Sequence, residues 1–362
     1  MTHVSEILDP DNLTAMVIGG YIRKQTNPNR DLWIYNYTPK ATFDGMWNNE
    51  TMTCRGLIVD VDGTVVARPF RKFFNLSQHE SPNVPDAPTG KYRVFDKADG
   101  SLGIMYPTGN GEAAIATRGS FSGEQALKAT AILHAKYQDW LVKFSLMPYH
   151  ENYTLLFEII YPENRIVLDY GSTEDLVFLG TVHIPTGRTC FFVDWGWPGP
   201  KVECYPVRSF DDLAAENRPN KEGYVLWYHD TDERLKVKHE DYLTLHRLVT
   251  NSSTKSVWRL LASGNRDELQ LIPQEFRNQV DRCVIQFENQ FEDIYDDARD
   301  LVDCCCRDTG PAAERRDEAL YFKEHAKDRT VLAAAFAILD GKPFIPIIWR
   351  SLEPKGSESL WL

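Results

Sequence analysis

Short apolar runs separated by turn signals dominate the chain from about residue 55 to residue 238. They include "GLIVDV" (56–61), "TVVAR" (64–68), "KYRVF" (91–95), "SLGIMY" (101–106), "YTLLFEII" (153–160), "LVFLGTV" (176–182), "CFFVDW" (190–195) and "GYVLWY" (223–228). Each is rich in β-branched or aromatic residues and bounded by Gly, Pro, Asn or Asp, the pattern of β-strands. One helix interrupts them. Ser122 and Gln125 have capping-box spacing, and Leu127, Ile132, Leu133, Tyr137, Trp140, Leu141 and Phe144 follow at helical intervals.

After about residue 240 the period becomes helical. Phe287, Phe291, Ile294, Ala298, Leu301 and Val302 form one stripe, opposite the acidic series Glu288, Glu292, Asp293, Asp296, Asp297, Asp300 and Asp303. A second helix is predicted from near Pro311 to Leu339, stopped by Gly341. The predicted fold class is α+β: an antiparallel-sheet-rich domain over 1–245, then a smaller all-helical domain over 246–362.

Composition limits the function classes. A chain of 362 residues, 43% hydrophobic and 25% charged, has room for two globular domains. No run of about 18 apolar residues predicts a membrane span, and "MTHVSEILDPDN" lacks the basic and apolar regions of a signal peptide. The seven cysteines have no zinc-type spacing and are odd in number, which points to reduced thiols and a cytoplasmic protein. Cys304-Cys305-Cys306 reads as the end of a helix. A net charge of −12 argues against an indiscriminate polycation but leaves room for a local basic groove.

Five positions carry candidate chemistry. "VFDKADGSLGI" (94–104) sets Lys97 between an apolar strand and an Asp-Gly-Ser turn, as a surface charge at a hairpin end or as a reactive amine. A free lysine is neutral in only about four molecules per ten thousand at pH 7, so a nucleophilic Lys97 needs a lowered pKa. Lys236 and Lys238 lie two apart on one strand face, either supplying the cationic neighbours that lower it or forming a solvated edge. Glu158, inside "TLLFEII", and Glu222, opening "EGYVLWY", are either structural ion-pair partners or ligands for a ribose, a divalent ion and phosphates. A rival lies in "GLIVDVDGTVV". Asp60-Val61-Asp62-Gly63-Thr64 resembles the signature of haloacid-dehalogenase-type phosphatases, or else makes a two-residue Asp-Gly hairpin. "TVVARPF" looks like a returning strand, which favours the hairpin.

In order along the chain, Lys97-Ala98-Asp99-Gly100-Ser101, Glu158, Glu222-Gly223 and Lys236-Val237-Lys238 resemble motifs I, III, IV and V of the covalent nucleotidyltransferases. That superfamily includes ATP-dependent ligases and mRNA capping enzymes. The flanks "CRGLIVD" (54–60), "RPFRKFFNL" (68–76), "ATRGSF" (116–121) and "LFEIIYPENRIVLDY" (156–170) are similar to the phage-type ATP-dependent RNA ligase 1 family, over roughly residues 30–245.

The resemblance implies an adenylation domain and a role for each matched residue. Lys97 would take AMP from ATP, and Lys236 and Lys238 would contact the α-phosphate. Arg55 and Lys72 would hold ATP phosphates or substrate, with Phe74 a matching aromatic. Asp99 and Gly100 would complete the ATP-binding turn, and Phe178 would stack on adenine. Glu158 would lie near the ribose, and both Glu158 and Glu222 are candidate ligands for Mg2+ (or Mn2+). Arg118 stands where related sequences have lysine. The implied reaction passes AMP from Lys97 to an RNA 5′-phosphate and seals that end to a 3′-hydroxyl, in RNA or tRNA repair. A monomer is expected, without membrane association. Arg259, Arg277, Arg282, Arg315 and Arg316 in the tail are candidates for RNA phosphate contacts. A DNA ligase, a capping enzyme and a non-catalytic ATP-binding protein are the alternatives.

Overall fold

In the computed structural model, which describes residues 2–109, 112–190, 195–243, 253–266, 269, 274–310 and 314–356, the chain divides into two units, Met1–Leu243 and Thr244–Leu362. The architecture is mixed α+β, with antiparallel sheets in the first unit and helices in the second. Strands β1 (Ile22–Thr26), β2 (Leu32–Tyr37), β3 (Arg55–Asp60) and β4 (Val65–Ala67) form the first sheet. A third sheet takes β5 (Phe74–Asn75) and β6 (Tyr92–Asp96). The second contains β7 (Ser101–Gly109), β8 (Glu112–Ala116), β9 (Tyr153–Ile160) and β10 (Asp175–His183), in the order β10-β9-β7-β8. Strands β11 (Cys204–Tyr205), β12 (Gly223–Tyr228) and β13 (Glu233–Lys238) complete the third, in the order β11-β6-β12-β13-β5. The described pairs are antiparallel except β13 with β5.

The second sheet explains why "TLLFEII" is almost continuously apolar. Side chains alternate across a strand. Leu155, Phe157 and Ile159 face helix α2 (Glu124–Ser145), packing on Leu133, Trp140 and Phe144. Leu156 points the other way, to Ile34 and Ile58 of the first sheet. Both faces are therefore covered, and Glu158 shares the face of Leu156. The far side of the first sheet is covered by helix α1 (Pro10–Ile18) through Leu13, against Tyr35, Leu57 and Val59. A third layer is closed by helix α3 (Phe210–Ala215), whose Leu213 packs with Val94, Leu226 and Leu235. Burying each such side chain stabilises the fold by about 1.5–3 kcal/mol.

Several local expectations are corrected. Helix α2 is capped at Gly123, not by a Ser122–Gln125 box, because Ser120 Oγ accepts the amides of Ser122 and Gly123 at 3.2 and 2.8 Å. Leu127 points to solvent. The hairpin between β3 and β4 has a three-residue loop in place of a two-residue turn. Asp60 N donates to Thr64 O, and Gly63 adopts φ +83°, as a three-residue hairpin requires. Asp60 Oδ1 accepts from the backbone amides of Asp62 and Thr64 at 3.0 and 2.8 Å, so its carboxylate braces the turn. Strands β1 and β2 lie before the region read as β-rich. The run 191–194 falls outside the described residues.

In the second unit, helix α4 (Thr254–Ser263) and helix α5 (Gln274–Thr309) pack through Val257, Leu261, Val280 and Phe287. The helix predicted over 311–339 is two, α6 (Arg315–His325) and α7 (Arg329–Leu339). The break follows from Asp328, whose Oδ1 accepts from the amides of Thr330 and Val331 at 2.7 and 2.9 Å and starts a new helix. Pro311 lies outside the described residues. An unanticipated helix α8 (Ile345–Ser351) adds Ile348 to the core of Ala298, Leu301, Phe322 and Ala334. The triple cysteine sits in the last turns of α5 with Cys305 buried, and all seven cysteines are free thiols. Arg315 is already paired with Glu318 and Asp340, which removes it as an open phosphate contact, and the Arg277 side chain is outside the described set. No described helix is long and apolar enough to cross a membrane.

Candidate active site

Lys97 follows β6 and leads towards β7, so "KADGS" bridges two sheets; it does not close a hairpin. Its amide donates to Gly223 O at 3.0 Å, and Gly223 lies opposite Lys238 in the β12–β13 register. Lys97, residue 223 and Lys238 are thus neighbours across three strands, with Glu222 beside them. The close approach requires glycine at 223, where φ is +142° and a Cβ would lie 2.1 Å from Val237 O. Glu222, 2% exposed, receives Lys97 Nζ at 2.6 Å on one oxygen and Lys238 Nζ at 2.8 Å on the other.

This pairing overturns the expectation of a lowered Lys97 pKa. Burial pushes the amine down, but the carboxylates of Glu222 and Glu158 outweigh it, and the net direction is upward. Glu222 is shifted the opposite way: burial raises it, and Lys97 and Lys238 more than reverse that. The strongly depressed lysine is Lys236, driven well below its usual range by burial and by the positive charges of Lys97, Lys72, Arg55 and Lys238. Its Nζ lies 4.5 Å from the Phe73 ring centroid.

Glu158 enters from the second sheet. Its Oε1 accepts the Gly100 amide at 3.0 Å, and burial, partly opposed by Lys97, pushes it up to about 7. Gly100 is needed here as well, since a Cβ would meet Ile159 O at 2.5 Å. Around these groups lies a cavity of about 460 Å3 whose wall includes Arg55, Phe73, Lys97, Arg118, Glu158 and Lys236. Arg55 donates to Phe70 O at 3.3 Å and Arg118 to the Tyr37 hydroxyl at 2.7 Å.

Four of the residues read as ATP contacts do not line this cavity. Asp99 is buried: Oδ2 accepts the amides of Val167 and Leu168, both at 3.0 Å, and Oδ1 the Tyr242 hydroxyl at 2.8 Å. Phe178 packs edge-on against Phe157 beneath α2, on the sheet face away from Glu158. It is Leu179, displaced by the β-bulge at 178–180, that reaches the cavity. Phe74 is buried against Trp47 and His79, while its neighbour Phe73 lines the cavity. Lys72 Nζ sits 4.3 Å from the Phe74 centroid and 5.2 Å from that of Trp47. Burial, with Arg55 and Arg118, pulls it down to about 8.

Sequence reasoning also passed over Asn36, on the cavity wall, whose amide oxygen is buried without a hydrogen-bond partner among the described residues. Asp96, next to Lys97, is held by Arg218 at 2.9 Å and Lys221 at 2.6 Å. A charged residue closing a strand beside a reactive lysine was the available signal for Asp96. Nothing in the pattern marks Asn36. A divalent cation would have few protein ligands: among the described residues no three Asp, Glu, His or Cys side chains converge. The donor set fits an ion of the magnesium kind, held by one carboxylate with phosphate oxygens and water supplying the remainder.

Comparison with known proteins agrees with the family resemblance. A Thermovibrio ammonificans protein described as "Putative RNA ligase" is 26% identical over 250 residues, covering 65% of this chain and 63% of its own length. The RNA ligase of Rhodothermus phage RM378 is 21% identical over 353 residues, with 75% and 78% covered. This chain thus spans less than two thirds of the Thermovibrio relative. Naegleria gruberi RNA ligase with PPi is a structural neighbour at 17% identity and TM-score 0.34, covering 43% of this chain and 51% of that one; so low a score carries no argument. The family model described as RNA ligase matches residues 53–243, more than half of the 362 residues, and the chain belongs to that RNA ligase family.

Proposed function

We propose that the chain is an ATP-dependent RNA ligase whose first unit is a nucleotidyltransferase domain acting through a lysyl-AMP intermediate at Lys97. One observation supports this most: the Lys97 amine rests on the buried Glu222 carboxylate, whose other oxygen holds Lys238, at the edge of a cavity also lined by Arg55, Arg118 and Lys236. That is the equipment for a polyphosphate electrophile, because phosphoryl transfer depends on positioning and charge neutralisation. Asn36 offers an acceptor for the amine of a base.

In this reading Lys97 is stored as an ammonium on Glu222 at 2.6 Å and gives its proton up to solvent before the attack, since Glu222, held below its usual range, is too weak a base to keep it. The neutral amine forms a P–N bond to the α-phosphorus while the bond to pyrophosphate breaks. Lys236 and Lys238 face the phosphate whose charge grows. Glu158 fixes the Gly100 turn and, half-ionised near neutrality, accepts hydrogen bonds from the ribose. A magnesium or manganese ion bound with the triphosphate would neutralise charge on the leaving pyrophosphate. AMP then passes to an RNA 5′-phosphate, and an RNA 3′-hydroxyl displaces it to close the phosphodiester, as repair of broken RNA, tRNA included, requires.

The test is labelling with ATP carrying a radioactive α-phosphate. Wild type and Asp60→Asn are expected to take one acid-labile, base-stable label per chain, and Lys97→Ala none. Label surviving in Lys97→Ala would refute the lysyl-AMP reading, and label from γ-labelled ATP that is lost in Asp60→Asn would favour phosphatase chemistry.

A further inference from the structure

On the other side of Phe73 lies a second cavity, of about 370 Å3, that the adenylation chemistry does not use. Its wall carries five cations, Arg68, Arg71, Lys72, Arg188 and Arg234, against the carboxylates Asp86, Asp232 and Glu233. Such an excess is notable in a chain of net charge −12. The arginines spend their hydrogen bonds on neutral oxygens. Arg68 donates to Ile184 O and Pro185 O, and Arg188 to His229 O and Asp230 O. Arg71 donates to Asn49 Oδ1, and Arg234 to Asp232 O and Thr189 Oγ1. Asp232 meanwhile accepts from the Thr189 amide and the Trp227 indole. Burial lowers the pKa of Arg68, Arg71 and Arg234, with Glu233 and Glu50 opposing it at Arg71 and Asp232 opposing it at Arg234. Neutral partners orient these cations without cancelling their charge, which leaves an anion site.

A second feature points to the kind of anion. His79 lines the same cavity, and its Nδ1 is 2.6 Å from Pro85 O. A carbonyl can only accept, so Nδ1 carries the hydrogen and Nε2 is left as the acceptor of the neutral ring. Nε2 is buried without a hydrogen-bond partner among the described residues. A hydroxyl donor would satisfy it, and the ribose 2′-hydroxyl is the group by which RNA differs from DNA. The cavity volume suits about one nucleotide.

We propose that this second cavity holds one ribonucleotide of the RNA strand being joined, its phosphate on Arg71 and Arg188 and its ribose hydroxyl towards His79. The inference rests on the ligase reading for the identity of the polyanion. Shared Phe73 places the strand next to the adenylate, so RNA would enter along the 68–74 segment.

The test uses the full chain and a fluorescent 5′-phosphorylated RNA 12-mer, with DNA of the same sequence as the second arm. Binding is read by anisotropy across a salt series, and Lys97 labelling from ATP is read separately. Arg71→Gln with Arg188→Gln, which removes both partners of the one phosphate, is expected to weaken RNA binding about tenfold and to flatten the salt slope by about 0.7, the value per phosphate contact for single strands. The ATP concentration for half-maximal labelling should stay put. Glu233→Gln should tighten RNA binding, a gain that misfolding cannot imitate, and His79→Phe should reduce the preference for RNA over DNA. Unchanged RNA affinity and slope in the double arginine variant would overturn the proposal. So would a raised ATP requirement, which would assign the cavity to ATP phosphates. If wild type binds RNA through these arginines yet takes no label, the ligase reading fails and the cavity assignment stands.

Discussion

Glu158 shows how function and stability pull apart at one residue. Its carboxyl is pushed up to about 7 by burial, against about 4.3 in an unfolded chain. Below the unfolded value both states are protonated and nothing is lost. As pH rises towards 7 the unfolded chain releases its proton and the folded one does not, so stability falls across that window. The full cost is at most about 4 kcal/mol, less where the cavity admits water. Glu158→Gln should therefore raise the Tm at pH 8, match wild type at pH 4, and still reduce lysine labelling about tenfold or more. A Tm difference independent of pH would show that packing, not ionisation, is at stake. Local setting and motif order singled out Lys97, Glu158, Glu222 and Lys236, the family resemblance added Arg55 and Arg118, and these lie together. The direction of the Lys97 shift was not legible, because it depends on Glu222 reaching across from another strand. Phe73 versus Phe74 and Leu179 versus Phe178 are one-residue choices of strand face, and a β-bulge decides the second.

Among the elements, the turn that carries Lys97 is held from beneath by Asp99. That carboxylate satisfies the amides of Val167 and Leu168 and the Tyr242 hydroxyl, so it ties together three segments distant in sequence. Asp99→Ala would leave buried donors unmatched, at about 1–3 kcal/mol each. The urea midpoint should fall by the equivalent of about 3 kcal/mol with m unchanged, and Tyr242→Phe by about 1 kcal/mol. An Asp99→Ala protein of normal stability that binds no ATP would mean that Asp99 touches nucleotide after all. The strands were readable because runs such as "TLLFEII" and "GYVLWY" end at turn residues. Helix ends were less so. Ser120 holds the amides of Ser122 and Gly123 just ahead of α2 and leaves Ser122 out of any cap, and Asp328 starts a helix inside a stretch whose apolar spacing runs on unbroken. In both cases a local side-chain bond outcompetes the periodic pattern.

At the scale of the molecule, each hydrophobic cluster among the described residues draws on one unit: those containing Phe157, Leu156, Leu57 and Leu226 on the first, those containing Phe287 and Phe322 on the second. A chain ending at Leu243 should fold and keep Lys97 labelling, while losing choice among RNA ends. A folded truncation that takes no label would move part of the adenylation chemistry into the helical unit. Within the first unit, the groups around Lys97 come from two separately bonded slabs: Glu222, Lys236 and Lys238 from one, Glu158 and Gly100 from the other. A nucleotide spanning them would act as a rivet, and small slippage between the slabs would set the reach of the amine like the play in a joint. Rate would then be tunable from the far surfaces of either slab, by residues that never meet the substrate.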